Sequence, residues 1–297
     1  LSIIIIKECP VCHSTAIAHR LTAEDHTVSH QQFEIWECAA CSLRFTQGIP
    51  DADSVGDFYQ SDNYISHTDT SEGIVNKLYH FVRKTTLKRK LRLVKQTTNV
   101  QKGSILDIGA GTGAFVQTML QARWAVTGLE PDAVTRQRAV ALYGLHLQDT
   151  RALFQLPAAS FDAITMWHVL EHVHELHAYA AQVKLLLKEK GKALIAVPNY
   201  TSYDAMVYQQ YWAAYDVPRH LYHFSPASVK NLLKQHGLQL LAVKPMWYDS
   251  FYISMLSSQY KNGKNNMPAA IWNGMISNLK AIFNKEKCSS VIYVIGK

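Results

Sequence analysis

The hydrophobic pattern changes character near residue 100. From position 102 onward, short apolar runs alternate with stretches in which apolar residues recur every three or four positions. Continuous apolar runs suit strands buried on both faces, and the 3–4 spacing suits helices packed on one side. The alternation therefore predicts βαβ units and a parallel sheet. The expected strands are 104–108, 125–129, 145–147, 161–166, 192–197, 238–244 and 290–295, and the expected helices 113–122, 132–143, 175–188 and 226–236. Gly191 and Gly237 each follow a helical stretch, where the chain often turns through a left-handed residue. The pattern implies a doubly wound α/β fold with a seven-stranded, mostly parallel sheet. Two stretches break the rhythm, 199–224 and 247–285. Both are rich in Tyr, Trp and Phe and read as insertions after the fifth and sixth strands.

Upstream the organisation differs. Residues 72–96 read as one basic helix, with Ile74, Leu78, Phe81, Val82, Leu87, Leu91 and Val94 at helical spacing. Residues 51–70 are polar and aromatic and read as a loop. Residues 1–50 carry few helical signals and four of the five cysteines. The expected division is a zinc-ribbon-like region over 1–50, a lid loop and basic helix over 51–99, and the α/β domain over 100–297.

Cys9-Pro-Val-Cys12 and Cys38-Ala-Ala-Cys41 form two C-x-x-C pairs. Two intervening residues let one tight turn aim both thiolates at a single ion, and two such turns complete a tetrahedral four-sulfur shell suited to Zn²⁺. Such a shell has no open position, so the metal is expected to be structural. Cys288 is left over and reads as a small buried apolar residue. Paired cysteines of this kind point to a reducing, cytoplasmic setting. Residues 1–6 are apolar but far shorter than the ~20 residues of a spanning helix, and they lack the features of a signal peptide. No transmembrane span is expected. Thirty Lys+Arg against 23 Asp+Glu give +7, a balance that suits an anionic partner such as a nucleotide-sugar, RNA or anionic lipid without choosing among them.

The run from Leu106 to Gly113, LDIGAGTG, leaves an expected strand and opens an expected helix. Its glycines let a ligand approach the backbone, and the helix start offers free N–H groups. The spacing is G-x-G-x-G, and an acid, Asp107, precedes it. The next strand ends in GLEP, where Glu130 is placed to accept hydrogen bonds from ribose hydroxyls, a role that also fits a nicotinamide dinucleotide. Strand four runs on into Trp167-His168-Val169-Leu170-Glu171-His172. With these pieces in order, and with QDTRALFQLP and KGKALIAVPN, residues 100–245 resemble the class I S-adenosylmethionine-dependent methyltransferases, whose fold is Rossmann-like. The resemblance implies that Gly109, Ala110, Gly111 and Gly113, with Asp107 ahead of them, wrap the methionine part of S-adenosylmethionine. It further implies that Glu130 holds the ribose, Asp149 the adenine amino group, and that Trp167 and His168 line the methyl end.

Base N-methyltransferases carry an N-P-P-Y-like segment where this chain has WHVLEH, which disfavours that class. His168-x-x-Glu171-His172 also matches a metalloprotease signature, but that motif belongs within a helix, and here it falls at a strand-to-helix junction. Some small-RNA and quinone-pathway methyltransferases use a nearby Glu-His for a divalent metal. Residues 215–225, YDVPRHLYHFS, follow strand five and are dense in His and Tyr, groups that move protons near neutral pH. The segment resembles a region of small-molecule methyltransferases. Deoxysugar C-methyltransferases among them also have an N-terminal zinc region and a Tyr- and His-bearing loop, here 58–67. The resemblance makes His220 the proton acceptor, with His223, Tyr64 and His67 around the acceptor. Arg219 departs from that pattern, since an acidic neighbour is usual there, and the extra C-terminal domain of those enzymes is missing.

The leading expectation is C- or O-methylation of a sugar-, quinone- or lipid-like small molecule. A zinc-containing RNA methyltransferase and a non-catalytic zinc-bearing binding module stand as alternatives, although residues 1–50 offer no basic-aromatic platform for RNA. The aromatic 247–285 stretch, interleaved with lysines, either packs in the core, covers the substrate or contacts a membrane surface.

Overall fold

The structure, a computed structural model, describes residues 3–52, 54–59, 74–264 and 266–297, and the side chains of its first long helix from Lys84 onward. The strands are β1 (Ile3–Ile4), β2 (Ile17–Glu24), β3 (Gln32–Cys38), β4 (Arg44–Thr46), β5 (Ile49–Pro50), β6 (Ser104–Ile108), β7 (Ala125–Leu129), β8 (Phe161–Trp167), β9 (Leu187–Pro198), β10 (Tyr222–His223), β11 (Gln239–Pro245) and β12 (Ser290–Gly296). The α-helices are α1 (Ile74–Thr98), α2 (Ala114–Gln121), α3 (Ala133–Tyr143), α4 (Leu176–Leu186), α5 (Tyr203–Tyr208), α6 (Pro226–Gln235), α7 (Asp249–Asn262) and α8 (Met267–Phe283).

The main sheet has the order β11-β12-β9-β8-β6-β7. β6 lies at its topological switch and pairs in parallel with β7 on one side and β8 on the other. This is the Rossmann-like α/β architecture, with six strands among the described residues where the apolar runs suggested seven. Residues 145–147 form no strand, and the next residue, Gln148, makes a single bridge to Leu129. Their leucines are used for packing: a Cβ on Gly113 would lie 2.8 Å from Leu145 Cδ1, and one on Gly128 2.6 Å from Leu147 Cδ2. Glycine at those two positions lets the leucines close onto the loop and the strand.

A second, four-stranded sheet has the order β10-β4-β3-β2. Its outer member comes from far along the chain: Tyr222 pairs with Phe45 and His223 with Arg44. The residues around β10 share a core with the N-terminal strands, in which Phe33, Ile35, Phe58, Trp212, Tyr215 and Val217 are buried together. The aromatic stretch 199–224 is thus the apolar filling of the cysteine-bearing sheet.

The chain falls into two compact units. One comprises the N-terminal residues as far as position 59 with Leu170–Tyr179 and Ala196–Tyr293. The other comprises 74–169 with Ala180–Ile195 and Val294–Lys297. Candidate residues occur in both units.

Candidate functional site

In the first unit the two C-x-x-C turns converge. Cys9 Sγ lies 3.4 Å from Cys41 Sγ and Cys12 Sγ 3.5 Å from Cys38 Sγ. All four sulfurs are within 4.8 Å of one another, and none is in a disulfide. A tetrahedron of Zn–S bonds of about 2.3 Å places sulfurs about 3.8 Å apart, so this donor set fits Zn²⁺. The hydrogen bond from the Cys41 thiol is the main cause that brings Cys9 down to about 5, against the effect of burial, and the same hydrogen bond pushes Cys41 up.

The cysteine turns are fastened to distant segments. Tyr200 OH donates to Ser42 O at 2.6 Å, and Ser42 Oγ meets Ser225 Oγ at 2.7 Å. Gln235 Nε2 donates to Val11 O at 2.6 Å. Thr46 donates from Oγ1 to His220 O at 2.7 Å. The cysteine cluster is therefore tied to the 215–225 segment through short polar contacts.

Within that segment Arg219, only 1% exposed, is held between two carboxylates. Its Nη2 donates to Asp25 Oδ1 at 2.9 Å and to Asp216 Oδ1 at 2.6 Å, and its Nη1 donates to Phe58 O at 2.9 Å. Burial alone would raise the Asp25 pKa, but hydrogen bonds from Arg219 and Ser29 and the guanidinium charge outweigh it and hold the carboxyl far below its ordinary value. A carboxylate whose pKa falls on folding stabilises the fold above its unfolded value of about 4, and that stabilisation is lost as pH falls through the lower folded value. Asp25→Asn is therefore expected to cost about 3 kcal/mol at pH 7, the low end for breaking a buried pair because Asp216 still holds Arg219. Urea unfolding at pH 7 and pH 3 checks this: the gap between variant and wild type narrows in acid.

His220 is buried, with Nδ1 2.8 Å from Ala214 O. A carbonyl oxygen only accepts, so Nδ1 carries the hydrogen and Nε2 presents its lone pair. Nε2 is 3.9 Å from Asp216 Oδ2, a carboxylate placed to stabilise an imidazolium. Burial is the main cause that pushes His172 down to about 4, so it is neutral near pH 7. Its Nδ1 lies 3.0 Å from both Arg219 O and Tyr59 OH, and its ring meets that of His220 edge to face at 4.6 Å. Ligand atoms of Glu171, His172 and His220 lie within 4.8 Å of one another. The H-x-x-E-H stretch itself forms a bend and turn after β8, not a helix, which removes the metalloprotease reading.

His223 is placed differently from His220. Its ring is buried in β10, edge to face with Tyr215 at 5.0 Å, and Nε2 is 3.1 Å from Thr46 Oγ1. Because Thr46 spends its hydrogen on His220 O, His223 Nε2–H donates to Thr46. Burial drives its pKa well below the usual value. His223 thus braces the segment from within β10. Tyr64 and His67 lie outside the described residues.

In the second unit, β6 delivers the glycine loop to the start of α2. Gly109, Gly111 and Gly113 all have positive φ, at 72°, 54° and 83°. The N–H groups of Gly109 and Ala110 donate to Leu129 O, each at 2.8 Å. A Cβ on Gly111 would meet nothing within 4 Å, so this is the point where the backbone stands open to a ligand. Glu130, at the end of β7, accepts from Gly111 N at 2.8 Å and Asp132 N at 3.1 Å. Burial raises its pKa, and those two amides pull it back. Asp107 lies beneath the loop, where burial pushes it up to about 7 and Thr165 Oγ1 donates to it at 2.6 Å. It supports the loop from inside. Trp167 sits edge to face with Phe115 at 5.7 Å, with Lys90 Nζ 4.3 Å from its ring centre, and His168 takes φ 58°. Asp149 N-caps the next short helix and gives both carboxylate oxygens to Arg151. An adenine amino group there would have to share it with that guanidinium.

Open backbone at Gly111, a carboxylate at the tip of the next strand and an acid under the loop suit a nucleoside bearing a short polar tail. A family model described as a methyltransferase domain matches residues 78–243, more than half of the chain. The chain belongs to that family, the S-adenosylmethionine-dependent methyltransferases. It is 29% identical over 158 residues to a ubiquinone biosynthesis O-methyltransferase of Xanthomonas axonopodis pv. citri (strain 306), covering 49% of this chain and 66% of that protein, just under two thirds of the relative's length. It is 26% identical over 119 residues to a demethylmenaquinone methyltransferase of Tropheryma whipplei (strain Twist), covering 39% of this chain and 50% of that one. The fold is shared with a magnesium protoporphyrin IX methyltransferase from Synechocystis PCC 6803, solved with bound S-adenosylhomocysteine (TM-score 0.53, 14% identity, 83% of this chain and all of that one).

Glu130→Ala is expected to weaken S-adenosylhomocysteine binding by about 1–3 kcal/mol, the range for a charge-assisted hydrogen bond to a ligand hydroxyl. Calorimetric titration checks this; wild-type affinity in the variant would remove Glu130 from the ribose.

Proposed function

We propose that the chain methylates a small acceptor of the quinol, phenol or lipid type, at oxygen or carbon, with His220 taking the acceptor's proton. The relatives' names carry the acceptor class: they act in ubiquinone biosynthesis and on demethylmenaquinone. The chemistry of the 215–225 segment supports the base. S-adenosylmethionine supplies a methyl group on a sulfonium, open to in-line attack. Gly111 and its neighbours would hold the amino-acid tail, and Glu130 would accept from the ribose hydroxyls. His220 would receive the proton at Nε2 while Nδ1–H stays on Ala214 O, and Asp216 would offset the charge that forms. His172, neutral, adds no competing cation. The four-cysteine cluster would hold structural zinc and fix the segment that bears His220. A sugar acceptor remains the second reading within the same chemistry, supported by the pairing of a zinc cluster with a His-bearing segment.

The test supplies methyl-labelled S-adenosylmethionine together with dihydroxyphenyl quinol precursors, a nucleotide-sugar set and total RNA in parallel. Label in a quinol or phenol product supports the reading. Label in RNA alone would replace it with the RNA alternative.

A further inference from the structure

α8 is built inside out. The residues it buries are small: Ala270, Gly274, Ser277 and Ala281. Its large apolar residues face solvent, among them Ile271, Trp272, Met275, Leu279, Ile282 and Phe283; Trp272 is 59% exposed and Phe283 90%. They recur at helical spacing and form one continuous stripe. The neighbouring helix α7 buries four serines, Ser250, Ser254, Ser257 and Ser258, with Ile253, and Ser250 Oγ lies 3.0 Å from Asn278 Oδ1 of α8. The approach is close: a Cβ on Gly274 would lie 2.7 Å from the Phe251 ring and 3.1 Å from its Cα. In water the hydrophobic effect favours the reverse arrangement, large apolar groups in and serines out. Helices that join through small residues and turn their apolar side chains outward are the pattern found where the surroundings are lipid.

The charges indicate what covers the stripe. Between positions 249 and 287 there are five lysines, Lys261, Lys264, Lys280, Lys285 and Lys287, against Asp249 and Glu286. Glu286 is already paired with Lys230 at 2.6 Å, and Asp249 is half-buried. The cations sit near both ends of α8, as they do on helices lying in a headgroup layer. No described helix is long and apolar enough to cross a membrane, so the helix would lie in the plane. Pairing two copies through this stripe would bring like charges together, whereas an anionic bilayer satisfies the apolar stripe and the lysines at once.

We infer that the α7–α8 hairpin is a docking surface for an anionic lipid bilayer, with the α8 stripe lying in the interfacial layer. The purified chain, wild type and Ile271→Asp/Leu279→Asp, is floated with vesicles of phosphatidylcholine alone or with 30 mol% phosphatidylglycerol. We expect at least tenfold more wild-type chain on the anionic vesicles, a loss of binding in rising salt, and a more than tenfold drop in the variant. Brominated lipid quenches the fluorescence that Trp272→Phe removes. Equal binding by wild type and variant, or no quenching of Trp272, would overturn the inference whether or not the variant folds. A dimer in sedimentation that the variant abolishes, without vesicle binding, would assign the stripe to a second copy instead.

Discussion

His220→Gln is expected to lower turnover by about 10²–10⁴-fold, the share a positioned general base contributes, with S-adenosylhomocysteine affinity within twofold of wild type. The size follows from the geometry. Nδ1 donates to Ala214 O, so in the proposed reaction Nε2 would be the proton-accepting atom, and Asp216 Oδ2 at 3.9 Å would offset the charge it acquires. Glutamine keeps a donor for Ala214 O but cannot take up a proton. Asp216→Asn removes the carboxylate and is expected to give a smaller loss of rate. Far-ultraviolet circular dichroism and the melting temperature separate loss of the base from loss of the fold. Full activity in folded His220→Gln would remove this residue from the chemistry and make His172 the next candidate.

Cys38→Ala is expected to lose the metal and the order of the four-stranded sheet together. Structural zinc supplies about 10–16 kcal/mol to isolated zinc-finger peptides. Here the buried aromatic core offsets part of the loss, so the effect falls below that range but well above the ~1 kcal/mol of an ordinary substitution. Cys38 ends β3, and the turn it shares with Cys41 carries Ser42, which contacts both Tyr200 and Ser225. The damage should therefore spread along the chain. Elemental analysis should find one zinc per wild-type chain purified without chelator and less than half an equivalent in the variant. Amide exchange should quicken across β3, β4 and 215–225. Less than half an equivalent in the wild type would count against the zinc assignment.

Local signals were legible in the sequence and distant ones were not. β6 and β7 begin and end where their apolar runs do, and the four cysteines that the spacing grouped do lie together. The run 145–147 misled because two leucines packing onto glycines look the same as a short strand. That 199–224 fills the core of the cysteine-bearing sheet depends on β10 crossing to β4, a pairing about 180 residues apart that no periodicity encodes. Arg219 looked like a departure from pattern. Its reason is Asp25, 194 positions earlier, a partner with no motif of its own. Resemblance set His220 as the proton acceptor and His223 beside the methyl acceptor, with no view of what either ring meets. Only their hydrogen-bond partners separate a lone pair backed by a carboxylate from a ring spent on Thr46. On α8 the aromatic content was visible, but which side of the helix faces inward was set by the small residues that fit against α7.

Isothermal titration of the purified chain with S-adenosylhomocysteine and, separately, with NAD checks the cofactor. One S-adenosylhomocysteine site per chain is expected, with a melting temperature that climbs with its concentration, and no heat from NAD. Saturable binding of NAD with none of S-adenosylhomocysteine would contradict the cofactor assignment.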